Sequence, residues 1–386
     1  MSKNVLHFVR KSTQLKATFI NDQISNHINY TPSIVIKEQL DKKYDGGFAE
    51  FNFAKYKIIF LDYKKSISYK YCKKLSDAEV RKILNFVNEN NINILHFHYG
   101  TDAGLYYQVM KKSDVPSVVS FYGYESSSFP KLYFGLGKKY LQNRVFKHAD
   151  KLFAMSEDMK NDFIKLGCDE SKIIVHYYGV NGKIYNYKSR KYFESDKYTL
   201  LIVSSLVPQK GHLFLLHGIN ELVRRGIKNF VLKIVGTGEL ANELKRYVKE
   251  NKLEEYVKLL GPMKAHSTEI LSEYVKADIF VHPSVMPKNG DKEGIPGTIV
   301  EAMFSGLPVI STNHAGIPHI IKDGFTGLLV KEWDVAKLSD KISQLIKDIE
   351  LRKRIGENAR KYAVDNLDLY IKEKELENIY DNLLNN

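Results

Sequence analysis

The residues best suited to chemistry lie in Asp291-Lys-Glu-Gly-Ile-Pro-Gly-Thr-Ile-Val-Glu-Ala-Met-Phe-Ser-Gly306. Two carboxylates, Glu293 and Glu301, flank Gly294, Ile295, Pro296, Gly297 and Thr298. Ile299, Val300, Met303 and Phe304 recur at helical spacing. Pro296 suits a first helical turn, where its missing N–H would have no partner, and Gly306 is a stop. The spacing predicts a short helix from about Pro296. Its small-residue start offers free N–H groups and the positive end of the helix dipole, which attract phosphate. Ionised carboxylates only accept hydrogen bonds, so two of them beside an anion site fit hydroxyl-rich partners such as a sugar and a ribose. The alternative is a capping turn with two solvated carboxylates.

Other stretches add candidates. Ser204-Ser205-Leu-Val-Pro-Gln-Lys210-Gly211 follows a predicted strand, so Lys210 is placed to put a point charge on an anionic ligand beyond the strand end; alone, it would read as an exposed loop lysine. Gly236-Thr-Gly238-Glu-Leu-Ala241, with Glu254 and Glu255 further on, matches a dinucleotide fingerprint and equally a tight strand-to-helix turn. His96 and His98 alternate on one strand and share a face. No cysteine or carboxylate cluster completes a zinc set beside them, which leaves His98 as either a cleft residue or a packed histidine. Lys131 to Lys147 interleaves bases with aromatics, which suits an anionic lipid surface or a solvated helix face. RNA binding ranks lower, because no nucleic-acid motif has the right spacing.

These residues need elements to hold them. Strands are predicted at Val5–Val9, Lys57–Leu61, Asn93–His98, Ser117–Phe121, Lys151–Met155 and Lys172–Val175. A capping box, Ser76 to Glu79, opens a helix carrying Val80, Ile83, Leu84 and Val87. Another helix runs from about Asp102 to Lys112, and Ser156 caps a third. A polar, basic, aperiodic linker covers about Asn181 to Lys197. A second strand series follows at Tyr198–Val203, Phe230–Val235, Tyr256–Leu260, Asp278–Val281 and Pro308–Ile310. Three helical segments close the chain, from Val335, about Leu351 and about Leu369. Strands alternating with helices make an α/β chain with parallel sheets covered on both faces.

The 386 residues are 44% hydrophobic and 27% charged, which allows large cores and two or three domains. The formal charge of +13 points to an anionic partner. Cys72 and Cys168 make no disulfide framework, a basic residue interrupts any signal-peptide core, and no apolar run approaches a membrane span. The expected setting is the cytoplasm, free or peripheral on the inner face of the cell membrane.

The Glu293, Gly294, Pro296, Glu301, Ala302, Met303, Gly306, Pro308, Val309 frame resembles the donor signature of the retaining glycosyltransferases of family 4. The resemblance continues through Gly316-Ile-Pro318 and Asp323-Gly324-Phe-Thr-Gly327, and extends more patchily to Ile94–Gly100, Ser120–Glu125 and Gly179-Val-Asn181. It implies the GT-B fold: two Rossmann-like parallel-sheet domains facing one cleft, with a C-terminal helix crossing back to the first. The implied boundaries are 1–190 for the acceptor domain, 191–365 for the donor domain and 366–386 for the returning helix. It implies transfer of a sugar, with retention, from a UDP- or GDP-linked donor to a glycan or lipid-linked oligosaccharide in cell-surface polysaccharide synthesis. Glu293, Lys210 and His98 would be catalytic. Glu301, Gly294, Ile295, Pro296, Gly297, Thr298, Ser205, Gly236 and Gly238 would bind the donor. Tyr122 and Gly123 would lie on the acceptor side, where the family often has a histidine before the glycine. Ser205 stands where the family usually has an arginine. No D-x-D pair occurs, so no metal or other cofactor is expected, and no nucleic acid. A sugar-nucleotide epimerase and a noncatalytic nucleotide-sugar binding subunit remain as rivals.

Overall fold

The computed structural model describes residues 3–39, 50–61, 69, 72–185, 192 and 196–385. Most of the predicted linker lies outside them. The described residues form two compact units: one of 3–39, 50–61, 69, 72–179 and 369–385, the other of 180–185, 192 and 196–368. The crossing into the second unit falls at Val180, earlier than the sequence placed it, because Gly182–Ile184 is already a turn of that unit, with the Phe304 ring directly against Gly182.

The first unit holds a parallel sheet of β1 (Lys3–Lys11), β2 (Tyr30–Glu38), β3 (Lys57–Phe60), β4 (Ile94–His98), β5 (Ser117–Ser120), β6 (Lys151–Ala154) and β7 (Ile173–Val175). Their order is β3-β2-β1-β4-β5-β6-β7. Buried β-branched and aromatic runs such as Val5–Val9 need helices on both faces, which parallel crossovers supply. Register matters here, because β1 and β4 pair His7 with His96, and β4 and β5 pair His98 with Ser120. The last helix, Leu369–Leu384, belongs to this unit: Leu376 and Tyr380 join Val5, Tyr30, Ile94, Val118 and Phe153 in one apolar cluster.

The second unit holds β8 (Tyr198–Val203), β9 (Phe230–Val235), β10 (Val257–Gly261), β11 (Ile279–His282), β12 (Val309–Thr312) and β13 (Leu328–Val330), in the parallel order β10-β9-β8-β11-β12-β13. Its core runs from Leu200, Ile202 and Phe214 to Leu338, Ile342 and Ile355.

The Ser76–Glu79 box and the Ser156 cap both form. The helix predicted from Asp102 to Lys112 is instead two pieces, Gly100–Ala103 and Tyr107–Lys112. β2 and the helix Thr18–Ser25 were not foreseen.

Candidate functional site

Open parallel sheets bind ligands beyond the carboxyl ends of their strands, where the strand order reverses. In the second unit that point lies between β8 and β11. The loop leaving β8, Ser204–Gly211, is held on both sides. The Leu206 N–H donates to Thr237 O at 2.9 Å, and the Val285 N–H to Gln209 O at 2.9 Å. Gly236 has φ +146°, and a Cβ there would sit 1.9 Å from Ser204 O; one on Gly238 would sit 2.5 Å from Leu206 O. Both glycines let the β9 loop clamp the lysine loop. Gly211, at φ +71°, closes against Pro283 O in the same way, 1.8 Å from where its Cβ would be.

The clamped loop delivers Lys210, whose Nζ donates to Glu293 Oε2 at 2.8 Å. Both side chains are mostly enclosed, 17% and 11% exposed. Ser205 is exposed on the same loop. Glu293 is tied from behind. Its N–H donates to His314 Nε2 at 3.4 Å, and His314 Nδ1 faces Glu332 at 2.7 Å, which assigns the His314 proton to Nδ1. Two more histidines, His212 and His282, are fully buried close by. Burial first, then the Lys210 charge, pushes His212 down to about 3 and His282 well below its ordinary value. Both are neutral rings.

The helix after this loop is Gly297–Phe304. It starts one residue later than predicted, because Pro296 has extended backbone, φ −63° and ψ 118°, and serves as its N-cap. Gly297 and Thr298 therefore carry the first helical N–H groups, which have no partner inside the helix. The Thr298 hydroxyl lies 3.3 Å from His282 Nδ1. Behind them Gly294 O accepts from the Gly316 N–H at 3.3 Å, and Ile295 is buried. Glu301, one turn in, accepts from the Tyr274 hydroxyl at 2.7 Å, and burial pushes its carboxyl above the usual range. Gly306 stops the helix at φ +69°.

His98, Tyr122 and Gly123 stand in the first unit, at the carboxyl ends of β4 and β5. His98 is fully buried, with Nδ1 2.8 Å from the Tyr122 hydroxyl, and burial holds it down to about 3. Glu125 ties the two loops together, accepting from the Gly100 N–H at 3.0 Å and the Tyr122 N–H at 3.3 Å. Burial pushes its carboxyl up to about 7. His96 and His98 do share a face, their rings stacked at 4.6 Å, and His7 brings a third ring nitrogen within 4.8 Å. Each ring nitrogen of the three has a protein partner within hydrogen-bond distance.

The sequence signalled Lys210, Glu293 and Glu301, but missed His282, His314 and Tyr274. The strand-end Phe280-Val-His282 resembles in kind the strand-end His98 and was a usable signal. Tyr274 offered none, since it sits on a helix far from the motif.

Two family models match the chain: Glycosyltransferase Family 4 over residues 62–182, and Glycosyl transferases group 1 over residues 185–362. A glycosyltransferase of Methanocaldococcus jannaschii is 29% identical over 283 residues, 72% of each chain. The amylovoran biosynthesis glycosyltransferase AmsK of Erwinia amylovora is 34% identical over 197 residues, 51% of this chain and 47% of the relative, so the match spans about half of that protein. Among solved structures, Anabaena Alr3699/HepE in complex with UDP and glucose superposes with a TM-score of 0.77 at 16% identity, covering 98% of this chain and 99% of that one. A likeness at that identity shows the fold, which is GT-B.

Proposed function

We propose that this chain, which belongs to the glycosyltransferases of group 1 and family 4, moves a sugar from a nucleotide-diphosphate donor to a glycan or lipid-linked acceptor, with retention and without a metal ion. The observation that carries the reading is the Lys210–Glu293 pair, at 2.8 Å, beside the start of the helix Gly297–Phe304. A cation, free helix N–H groups and two carboxylates together match the parts of a nucleotide sugar. The diphosphate takes Lys210 and the amides of Gly297 and Thr298. Glu293, released from Lys210, accepts from hydroxyls of the transferred sugar, and Glu301 accepts from the ribose.

As the nucleotide leaves, negative charge grows on its terminal oxygens, and the lysine and helix dipole are already in place to meet it. The leaving phosphate takes the acceptor proton, so no protein base is required. Tyr122 is no such base, because burial raises its hydroxyl well above the ordinary value. The AmsK name supports a role in polysaccharide synthesis, and the UDP named with HepE supports a nucleotide donor.

A membrane-facing position is favoured by one surface. Leu132, Phe134 and Leu136 stand out from the helix Leu132–Leu141, Phe134 wholly so, with Lys131 and Lys139 exposed on the same segment. Apolar residues ringed by lysines suit an anionic bilayer. Among the described residues no helix is long and apolar enough to cross one.

The test is a thermal-shift panel of nucleotide sugars followed by proton NMR of the product. A UDP- or GDP-sugar should raise the midpoint, and the new linkage should keep the donor's anomeric configuration. Epimerised donor or free sugar formed without an acceptor would replace this reading with an epimerase. Binding without turnover on any acceptor would replace it with a binding subunit.

A further inference from the structure

A line of buried side chains crosses the first unit from the last helix to Tyr122. Glu373 pairs with His27 Nδ1, and Glu377 lies 3.6 Å from the same nitrogen. His27 Nε2 is 2.8 Å from His7 Nε2, His7 Nδ1 is 3.0 Å from His98 Nε2, and His98 Nδ1 is 2.8 Å from the Tyr122 hydroxyl. The side chains of His27 and Glu373 are 1% and 2% exposed, and His7 and His98 are fully buried. No residue of this line is shared with the second unit.

We propose that Glu373 and His27 act as positioning residues that set the direction of this hydrogen-bond line, so that the Tyr122 oxygen accepts from His98 and its hydroxyl proton is left to donate to a substrate oxygen.

Each contact between two ring nitrogens holds one proton, so with Glu373 ionised the line has two consistent arrangements. If His27 is an imidazolium, its Nδ1–H faces Glu373 and its Nε2–H donates to His7. His7 must then donate from Nδ1 to His98, and His98 from Nδ1 to Tyr122. If His27 is neutral, Nδ1 keeps the proton against the carboxylates and every other bond reverses, with Tyr122 donating inward to His98. The carboxylates decide between the two. Glu373 and Glu377 face His27 from one helix, four residues apart, and hold it as a cation, pushed up to about 9. Glu377 is itself fixed by the N–H groups of Ile28 and Asn29, and held down to about 2.

A second line lies beside the first. The Tyr380 hydroxyl lies 2.6 Å from His96 Nδ1, and His96 Nε2 lies 2.8 Å from Ser120 Oγ. With Tyr380 donating, this line ends on Ser120 and leaves the direction of the first to Glu373 and His27. Tyr122 thus receives a hydrogen bond from behind and keeps its own proton for the side of the strand ends. A tyrosine ordered this way binds an oxygen lone pair rather than a hydroxyl proton. The identity of that oxygen as a sugar or phosphate oxygen rests on the transferase reading above.

The test begins with the unmodified protein and needs no substrate. Two-dimensional NMR of ¹⁵N-histidine-labelled protein near pH 7.5 should show His27 charged and both His7 and His98 protonated at Nδ1. In Glu373→Gln, which keeps shape and removes one charge, His7 and His98 should shift to Nε2 protonation. If the sugar transfer is found, Glu373→Gln and Tyr122→Phe should each lower kcat about tenfold, the scale of one lost hydrogen bond, with donor KM little changed. The double variant should be no slower than Tyr122→Phe alone. His7→Gln gives a second cut of the line should Glu373→Gln fail to fold. Nε2 protonation of His7 and His98 in the unmodified protein overturns the proposal. So do tautomers that ignore Glu373→Gln, additive losses in the double variant, or one equivalent of zinc retained by the purified protein. Absence of any transfer with correct tautomers would sink the transferase reading and leave the line's direction standing.

Discussion

The lysine site of the second unit and the histidine line of the first are assembled from different kinds of sequence. In the second unit, Lys210 arrives on one short loop, and Glu293, Gly297, Thr298 and Glu301 arrive on another. Neighbouring residues become neighbouring atoms, because two strand-end loops meet at one switch point. In the first unit, Tyr122, His98, His7, His27 and Glu373 come from five separate segments, with Glu373 lying 346 positions after His27. Only strand register and the return of the last helix bring them together. Local motifs therefore announce the first kind of site whole, and of the second only His98 and Tyr122.

The largest effect expected from this contrast is at Lys210. It is the loop's cation facing Glu293, and Ser205 replaces a second. Lys210→Ala should lower kcat roughly a hundredfold or more, the scale of losing one preorganised stabilising donor. Nucleoside monophosphate binding should suffer less, because the missing charge matters most as the leaving group departs. Ser205, exposed on the same loop, gives the complement: Ser205→Arg should restore part of the kcat of Lys210→Ala. A Lys210→Ala enzyme with near-normal kcat would move the diphosphate site elsewhere.

Next comes Glu301, where binding and stability are joined. Glu301→Ala removes the proposed ribose acceptor, a charged hydrogen bond of about 1.5–3 kcal/mol, so donor affinity should fall about tenfold or more by calorimetry. It also removes the acceptor that the buried Tyr274 hydroxyl bonds at 2.7 Å. Losing one such hydrogen bond costs about 0.5–1.5 kcal/mol. Glu301→Gln keeps an acceptor oxygen for Tyr274 and should recover stability before affinity. Loss of stability with an unchanged donor dissociation constant would make Glu301 a packing residue.

How much was legible follows the same division. Strands with continuous apolar runs, the Ser76 and Ser156 caps and the Gly306 stop all rest on short-range rules, and the structure has them. Pro296 misled by one position because its fixed φ suits both a cap and a first turn, and only ψ separates the two. β2 was passed over although Ile34, Val35 and Ile36 are a buried β-branched run, since Pro32 and Lys37 interrupt the pattern on either side. Lys37 is itself buried, paired with Glu79, which no periodicity could announce. His96 and His98 were visible as a pair, while His7 and His27 looked like unrelated single histidines until register set them in line.

A third test separates the units by pH. His7, His96, His98 and His176 are kept neutral by burial, with His98 held to about 3 and His176 to about 4. Unfolded histidine titrates near ~6.5. Their folded values are depressed, so their contribution to stability is present above ~6.5 and is lost as pH falls towards 3. His27 runs the other way. Its value is raised to about 9, so its contribution is complete below ~6.5 and is lost as pH climbs through 9. It is pushed upward where His7, His96, His98 and His176 are pushed down. Hydrogen exchange at pH 9.5 should therefore show lost protection in Leu369–Leu384 and β1 but not in β8 to β13. Equal loss in both units would remove His27 as the cause.

The smallest effect on the fold is expected at Phe134, which makes it the cleanest probe of a surface neither site uses. Its ring is fully exposed and Leu136 is more than half exposed, so Phe134→Ser and Leu136→Ser remove little packing. Surface changes of this kind stay within about 0.5 kcal/mol, and Tm should hold. Vesicle binding should not. Each apolar side chain that leaves water for the interface gains in proportion to its buried area, and the lysines Lys131 and Lys139 add attraction only to anionic lipid. In flotation with anionic vesicles the double variant should bind several-fold less than the parent, roughly the effect of losing one to two kcal/mol. Added salt should weaken what remains, since it screens the lysines and leaves apolar insertion untouched. Transfer to a water-soluble acceptor analogue should be unchanged. Unchanged flotation of the double variant would assign these side chains to some other contact and return the protein's positive charge to the proposed nucleotide donor alone.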